Sequence, residues 1–158
     1  MKMRRKDRAV TDYEKMLEIV KVCDCCRLGL VDGEGAYIVP LNFGYENQEG
    51  RLSLYFHSAG EGKKIELLKK QSRVSFEMDM RHGLVEGKTA CAYSYLFQSV
   101  MGRGEIELLQ EHEEKAHGLG LVMAHYAEGT DWAFPEKMVN GMAVMKLTVT
   151  EWSCKEHR

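Results

Sequence analysis

The sequence predicts a mainly β domain with flanking helices, an α+β fold built on antiparallel strands. Three observations carry that prediction. Between about residues 27 and 57, segments with strand periodicity are joined by connections far too short for parallel crossovers. A closing segment, Met142-Ala-Val-Met-Lys-Leu-Thr-Val-Thr150, alternates apolar and polar residues in the same way. Helical signals are confined to three stretches, near residues 13–23, 61–70 and 111–126.

Taken in order, Thr11-Asp-Tyr-Glu14 has the form of a capping box, in which the threonine accepts from the third helical amide and Glu14 returns to the cap. The helix it opens places Tyr13, Met16, Leu17, Val20 and Cys23 on one face. Strands follow at Arg27–Val31, Gly35–Tyr45 and Arg51–His57, with turns at Gly33-Glu-Gly35 and Glu46-Asn-Gln-Glu-Gly50. The front of the domain therefore reads as a β-meander. Pro40 cannot donate to a ladder, so its strand should lie at an edge or open at a bulge there. A helix from about Glu61 to Lys70, a strand Arg73–Asp79 and a glycine-interrupted stretch through Gly87 come next, and two more long strands are expected between about Thr89 and Leu109. Glu111–Tyr126 reads as a helix despite Gly118 and Gly120.

The length of 158 residues, 44% apolar content and two prolines describe one domain over 1–158, with a basic N-terminal arm at 1–10 and a C-terminal tail at 151–158. A net charge of −2 supplies no field that would recruit nucleic acid or an anionic membrane, and a short basic arm is commonly solvated or folded onto its own protein. No apolar run is long enough to span a bilayer or serve as a secretory signal, so a cytoplasmic location is expected. The five cysteines are an odd number in a chain that can fold without staples, which argues against a disulfide framework. Cys23, Cys25 and Cys26 lack the paired spacing and the downstream ligand pair of a zinc site, and no metal is expected.

The segment His57-Ser-Ala-Gly-Glu-Gly62-Lys63-Lys64 brings a hydroxyl, glycines and two lysines to a strand end that leads into a helix. Those are the requirements of an anion site: free amides at a helix start, close backbone approach and positive charge. A solvated turn with exposed lysines satisfies the same pattern. It is not an ATP-type loop, because His57 stands where that loop needs glycine and Lys64 where it needs serine or threonine. His57, ending the strand that delivers the loop, could donate to a ligand carbonyl, shuttle a proton near neutral pH, or serve only the local backbone. Among the aromatic and polar residues beyond this segment, Tyr93, Tyr95 and Gln98-Ser-Val-Met-Gly102 stand out, on a strand ending in Met101-Gly-Arg-Gly-Glu105.

In their order along the chain, Val39-Pro-Leu-Asn-Phe-Gly44, Leu54-Tyr-Phe-His-Ser-Ala-x-x-Gly-Lys-Lys64, Ser99-Val-Met-Gly-Arg-Gly104 and Met3-Arg-Arg-Lys-Asp-Arg8 resemble the pyridoxamine 5′-phosphate oxidase-like flavoproteins, and most of all the branch of 5-nitroimidazole resistance proteins. The resemblance implies an antiparallel split β-barrel, FMN as cofactor, and a homodimer whose two sites lie at the subunit interface. On matching positions it implies that Val39, Pro40, Leu41, Asn42 and Phe43 lie along the isoalloxazine ring and that Ser58, Lys63 and Lys64 hold the phosphate. It also implies that Ser99 and Val100 approach the cofactor and that His57 stands at the substrate side as the catalytic candidate. Ser153-Cys154-Lys155 departs from the Gly-Lys pair common in such proteins, and no role passes to the tail.

The activity implied is FMN-dependent reduction of small electron-poor organic substrates, as in nitroimidazole reductases. Two alternatives stand beside it: a non-catalytic flavin- or haem-binding carrier or sensor, and pyridoxamine phosphate oxidation. The latter lacks an evident second basic cluster for a phosphorylated substrate.

Overall fold

From Lys6 onward the basic arm lies against the protein. A computed structural model describes residues 4–158, so the first three residues of the arm lie outside the described residues. Lys6–Arg8 form a 3-10 turn, Arg8 lies over the ring of Phe97 at 5.7 Å, and the short strand β1 (Ala9–Val10) pairs with the last strand of the chain. Helix α1 (Tyr13–Val22) begins one residue later than the capping box implies. Asp12, not Thr11, is the cap: its Oδ1 accepts from the Lys15 amide at 3.0 Å, and a carboxylate is favoured at the positive end of the helix dipole. Ile19 and Val20 bury its inner face.

Strands β2 (Cys26–Asp32) and β3 (Gly35–Leu41) form one hairpin, and β4 (Gly44–Gln48) and β5 (Arg51–Ala59) form another. The single strand expected over 35–45 is thus two strands separated by Asn42 and Phe43. The expected turn at 46–50 contracts to Glu49-Gly50, whose φ angles of 51° and 77° give the left-handed pair that suits a two-residue hairpin. Helix α2 (Lys63–Leu68) then leads to β6 (Arg73–Val85). The glycine-interrupted stretch stays in the sheet, because a bulge between Met80 and Gly83 absorbs the irregularity and the strand continues to Val85. Its partner β7 (Ser94–Leu108) is one strand where two were expected, preceded by a 3-10 turn at Ala90–Ala92. Helix α3 (His112–Tyr126) is as expected, whereas α4 (Glu136–Asn140) is too short to show a period. Strand β8 (Met142–His157) runs through the segment expected to be a tail, which is held between β7 and β1.

The strands are antiparallel throughout, in the order β3-β2-β6-β7-β8-β5-β4. The front of the domain is therefore not a meander: β3 and β4, consecutive in sequence, are the two opposite edges of the sheet. A short connection permits an antiparallel neighbour but does not require one. Three residue steps from Leu41 to Gly44 reach about 10 Å, so the sheet must curl until its edges meet at Asn42-Phe43. No ladder joins β3 to β4 among the described residues, and the sheet is not closed by hydrogen bonds. Pro40 does lie on an edge strand, as its missing N–H requires.

Inside the curl, Leu28, Phe43, Phe56, Met78, Val100 and Leu147 are among the fully buried side chains. On the outer side of β5 and β8, α3 and α4 bury Tyr55, Leu119, Val139 and Val144 in a second cluster. The outer face of β3, β2 and β7 instead leaves Ile38, Val31 and Met101 exposed. All five cysteines are free thiols; Cys23, Cys26 and Cys154 are buried, Cys25 is half-buried and Cys91 is exposed.

Burial pushes the Cys23 and Cys154 thiols up to about 12 from 9.0, and raises the Cys26 thiol as well. Since the native state keeps these protons where the unfolded chain loses them, their influence on stability is neutral below pH 9 and unfavourable as the pH rises towards 12. The expected result is a urea midpoint that falls across that window. In a thiol-reagent titration at pH 8, Cys91 should react first and the three buried thiols only on unfolding.

Candidate functional site

The open seam of the sheet sets the frame for the site. Strand β4 begins at Gly44, which pairs with Tyr55, so Phe56, His57, Ser58 and Ala59 at the end of β5 pair with β8 alone. Across the seam stands the free edge of β3, which carries Val39, Pro40 and Leu41, followed by Asn42. The end of β5 passes directly into the glycine turn and α2, and Lys63 reaches back to the other hairpin. Its Nζ lies 2.5 Å from Asp32 Oδ2 and 5.1 Å from the centre of the Tyr37 ring. Residues 39–42, 57–58 and 63–64 thus border one seam.

Within it the candidates differ in what they have free. Lys63 is exposed and paired: the Asp32 carboxylate raises its pKa, and the lysine in turn lowers that of Asp32. Lys64 is half-buried, has no ion-pair partner among the described residues, and burial lowers its pKa. A cation in that position gains from any anion brought beside it. Gly62 caps α2 with φ 120°, a backbone few other residues adopt; no side chain caps the helix, and a Cβ there would meet open space. Ser58 is half-buried on the inner side, its hydroxyl donating to the Ala59 carbonyl at 2.9 Å. His57 points to the outer face and is exposed, and its imidazole has no hydrogen-bond partner among the described residues.

Two candidates have their side chains in the core. Phe43 is fully buried, its ring 4.5 Å from that of His125, and its amide donates to Tyr126 Oη at 3.1 Å. Val100 is fully buried in the core, and its strand pairs on one side with Met78 and on the other with Cys154. Their side chains are taken up by packing, because each falls on the inward phase of its segment. Ser99, on the outward phase, is half-buried between Asp79 and Lys155. Three strand spacings, about 14 Å, separate its strand from β3. In the other direction its β8 neighbour Lys155 is eleven residues from Val144, the neighbour of His57. A single chain does not bring Ser99 to the seam.

Three features gave no signal in the sequence. Asp32 and Tyr37 engage Lys63 from the far hairpin. On the outer face between β7 and β3, Arg27 Nη1 donates to Glu77 Oε2 at 2.9 Å and to Asp79 Oδ1 at 2.8 Å, and His82 Nε2 lies 3.0 Å from Asp79 Oδ2. Burial, helped by repulsion from Asp79, raises the Glu77 carboxyl above its usual range. The third is the anchoring of the linker by the last turn of α3: Tyr126 Oη donates to the Asp24 carbonyl at 2.7 Å while accepting from Phe43, and His125 Nε2 donates to the Cys23 carbonyl at 2.7 Å.

Residues 12–156 match the family model described as pyridoxamine 5′-phosphate oxidase. Among solved structures, a provisionally assigned 5-nitroimidazole antibiotic resistance protein from Bacteroides thetaiotaomicron VPI-5482 is 35% identical. The match covers 94% of this chain and 86% of that one, with a TM-score of 0.81. The flavocytochrome Anf3 from Azotobacter vinelandii superposes with a TM-score of 0.83 at 24% identity, over 99% of this chain and 72% of that one. The FAD- and haem-binding protein from Mycobacterium smegmatis gives 0.82 at 16% identity, over 96% and 74%. At these lower identities the likeness is one of fold. No curated protein matches. Among the described residues no helix is long and apolar enough to cross a membrane.

Proposed function

The chain belongs to the pyridoxamine 5′-phosphate oxidase family, and from that premise we propose that it is a cytoplasmic, homodimeric FMN-dependent oxidoreductase that reduces small electron-poor organic molecules. The open, curled sheet is then a split β-barrel. The observation that carries the reading is Lys64: a half-buried cation without an ion-pair partner, beside an uncapped helix start and an open glycine turn, at the end of an unpaired strand edge. These residues fit a phosphate. Lys64 and Lys63 would hold it, with Lys63 exchanging Asp32 for the ligand, and Ser58 would turn its hydroxyl from the Ala59 carbonyl to a phosphate oxygen.

The free edge of β3 at Val39, Pro40, Leu41 and Asn42 offers backbone groups to the rim of the flavin ring, and Phe43 supports that edge from the core. FMN, when bound there, would supply the redox chemistry by which reducing equivalents reach the substrate. His57, whose imidazole is exposed and unengaged beside the loop, would orient the substrate or give it a proton. Ser99 would serve the site of a second subunit. Its distance from the seam of its own chain and the exposed Val31, Ile38 and Met101 on the same face support a homodimer joined through that face.

The purified protein is expected to show flavin absorption, or to acquire it on titration with FMN. Anaerobic NADH or NADPH should bleach it, and a 5-nitroimidazole should restore it. Failure to bind FMN, or a Soret band in place of the flavin spectrum, would remove the proposal. Binding without reduction by either nucleotide would leave a flavin carrier and remove the enzyme. Conversion of pyridoxamine 5′-phosphate to the aldehyde would reassign the substrate.

A further inference from the structure

A pocket of about 220 Å³ lies where α1 crosses the ends of β6, β7 and β8. Gln98, which lines it, alternates with Ser99 along β7, so the pocket is on the opposite face of the sheet from Ser99. Its charged lining is Lys15, Lys21, Arg81 and Arg158 against Glu18 and Glu156. Glu156 is already engaged: its Oε2 accepts from Arg158 Nε at 2.7 Å and from Gln98 Nε2 at 3.0 Å. The side chains of Lys15, Lys21 and Arg81 have no ion-pair partner among the described residues.

Gln98 supplies the second, independent observation. It is only 3% exposed, and its Oε1 accepts no hydrogen bond from any described residue. The amide cannot be turned over to relieve this, because an oxygen would then face the Glu156 carboxylate. A buried acceptor without a donor is costly, and a ligand that brings an O–H or N–H removes that cost.

We propose that this pocket binds a small organic anion, its acidic group held by Lys15, Lys21 and Arg81 and a hydroxyl or amine of the same molecule donating to Gln98 Oε1. The site is independent of the flavin reading, since it shares no residue with the seam.

Calorimetry on the purified protein with glycerol 3-phosphate and with inorganic phosphate tests the two halves of the ligand. Glycerol 3-phosphate is expected to bind about fivefold more tightly than phosphate, the increment of one added hydrogen bond, and to shift the NMR signals of the Gln98 side-chain amide. Gln98→Leu should abolish that preference. Arg81→Gly should weaken both ligands about tenfold, and it is safe for the fold because Arg81 occupies φ 58°, where glycine is at ease. In a protein with Lys63 and Lys64 replaced by alanine, which lacks the phosphate-holding lysines of the seam, the preference for glycerol 3-phosphate over phosphate should persist. Equal affinities for the two ligands, an unshifted Gln98 amide, an Arg81→Gly variant that binds like the parent, or loss of the glycerol 3-phosphate preference when Lys63 and Lys64 are replaced would each overturn the proposal.

Discussion

Alanine at both Lys63 and Lys64 is expected to weaken FMN binding by about a hundredfold, while the same change at Lys69 and Lys70 leaves it within about twofold. The two lysines should not contribute equally. Lys64 is half-buried and has no ion-pair partner among the described residues, so it meets a phosphate with part of its solvation already lost and no partner to leave; about thirtyfold belongs to it. Lys63 is exposed and must give up Asp32, 2.5 Å away, so only a severalfold share remains. The competition has a counterpart: Asp32→Asn frees Lys63 and should tighten FMN binding severalfold. Flavin fluorescence quenching reads all four proteins. Small and equal losses in the two double variants would mean that the phosphate is held elsewhere.

The inequality between the two lysines is also where reading the sequence stops. The Gly62-Lys63-Lys64 segment was legible because a helix start, a permissive backbone and adjacent charge are local properties. Asp32 is 31 positions upstream and meets Lys63 only because two hairpins from opposite edges of the sheet converge on α2. The same distinction runs through the fold. Periodicity gave α3, the apolar face of α1 and the pairing phase of β2 and β5, and the missing amide of Pro40 gave an edge. It could not show that the chain leaves one edge at Leu41 and enters the other at Gly44, since a two-residue link is compatible with a hairpin and with a curl. Residues 151–157 were hidden for another reason. Glu, Trp, Ser, Cys, Lys, Glu and His make a poor strand by composition, and they are one because β7 and β1 pair with both of their sides. Phe43 and Val100 lie in motifs that carry the family resemblance, but their inward phase gives the side chains to the core.

Gly44→Ala should be the most damaging single substitution near the seam, destabilising the protein by about 3 kcal/mol in urea unfolding. A Cβ at this position would stand 2.4 Å from the Leu121 carbonyl carbon and from the Val122 nitrogen. Both are backbone atoms inside α3, so no rotamer change relieves the overlap; the helix must move away from β4. That helix is tied on both sides of the contact. His117 Nε2 lies 3.0 Å from Glu46 Oε2, and Tyr126 holds the Phe43 amide and the Asp24 carbonyl. Displacing it therefore loosens the Asn42-Phe43 link on which the free β3 edge depends, and FMN affinity should fall together with stability. Gly33→Ala is the control: its φ is not left-handed and its Cβ would meet nothing, so a change within about 0.5 kcal/mol is expected. A Gly44→Ala protein as stable as the parent would mean that α3 does not press on β4 at this point. The seam would then owe its shape to the two hairpins alone.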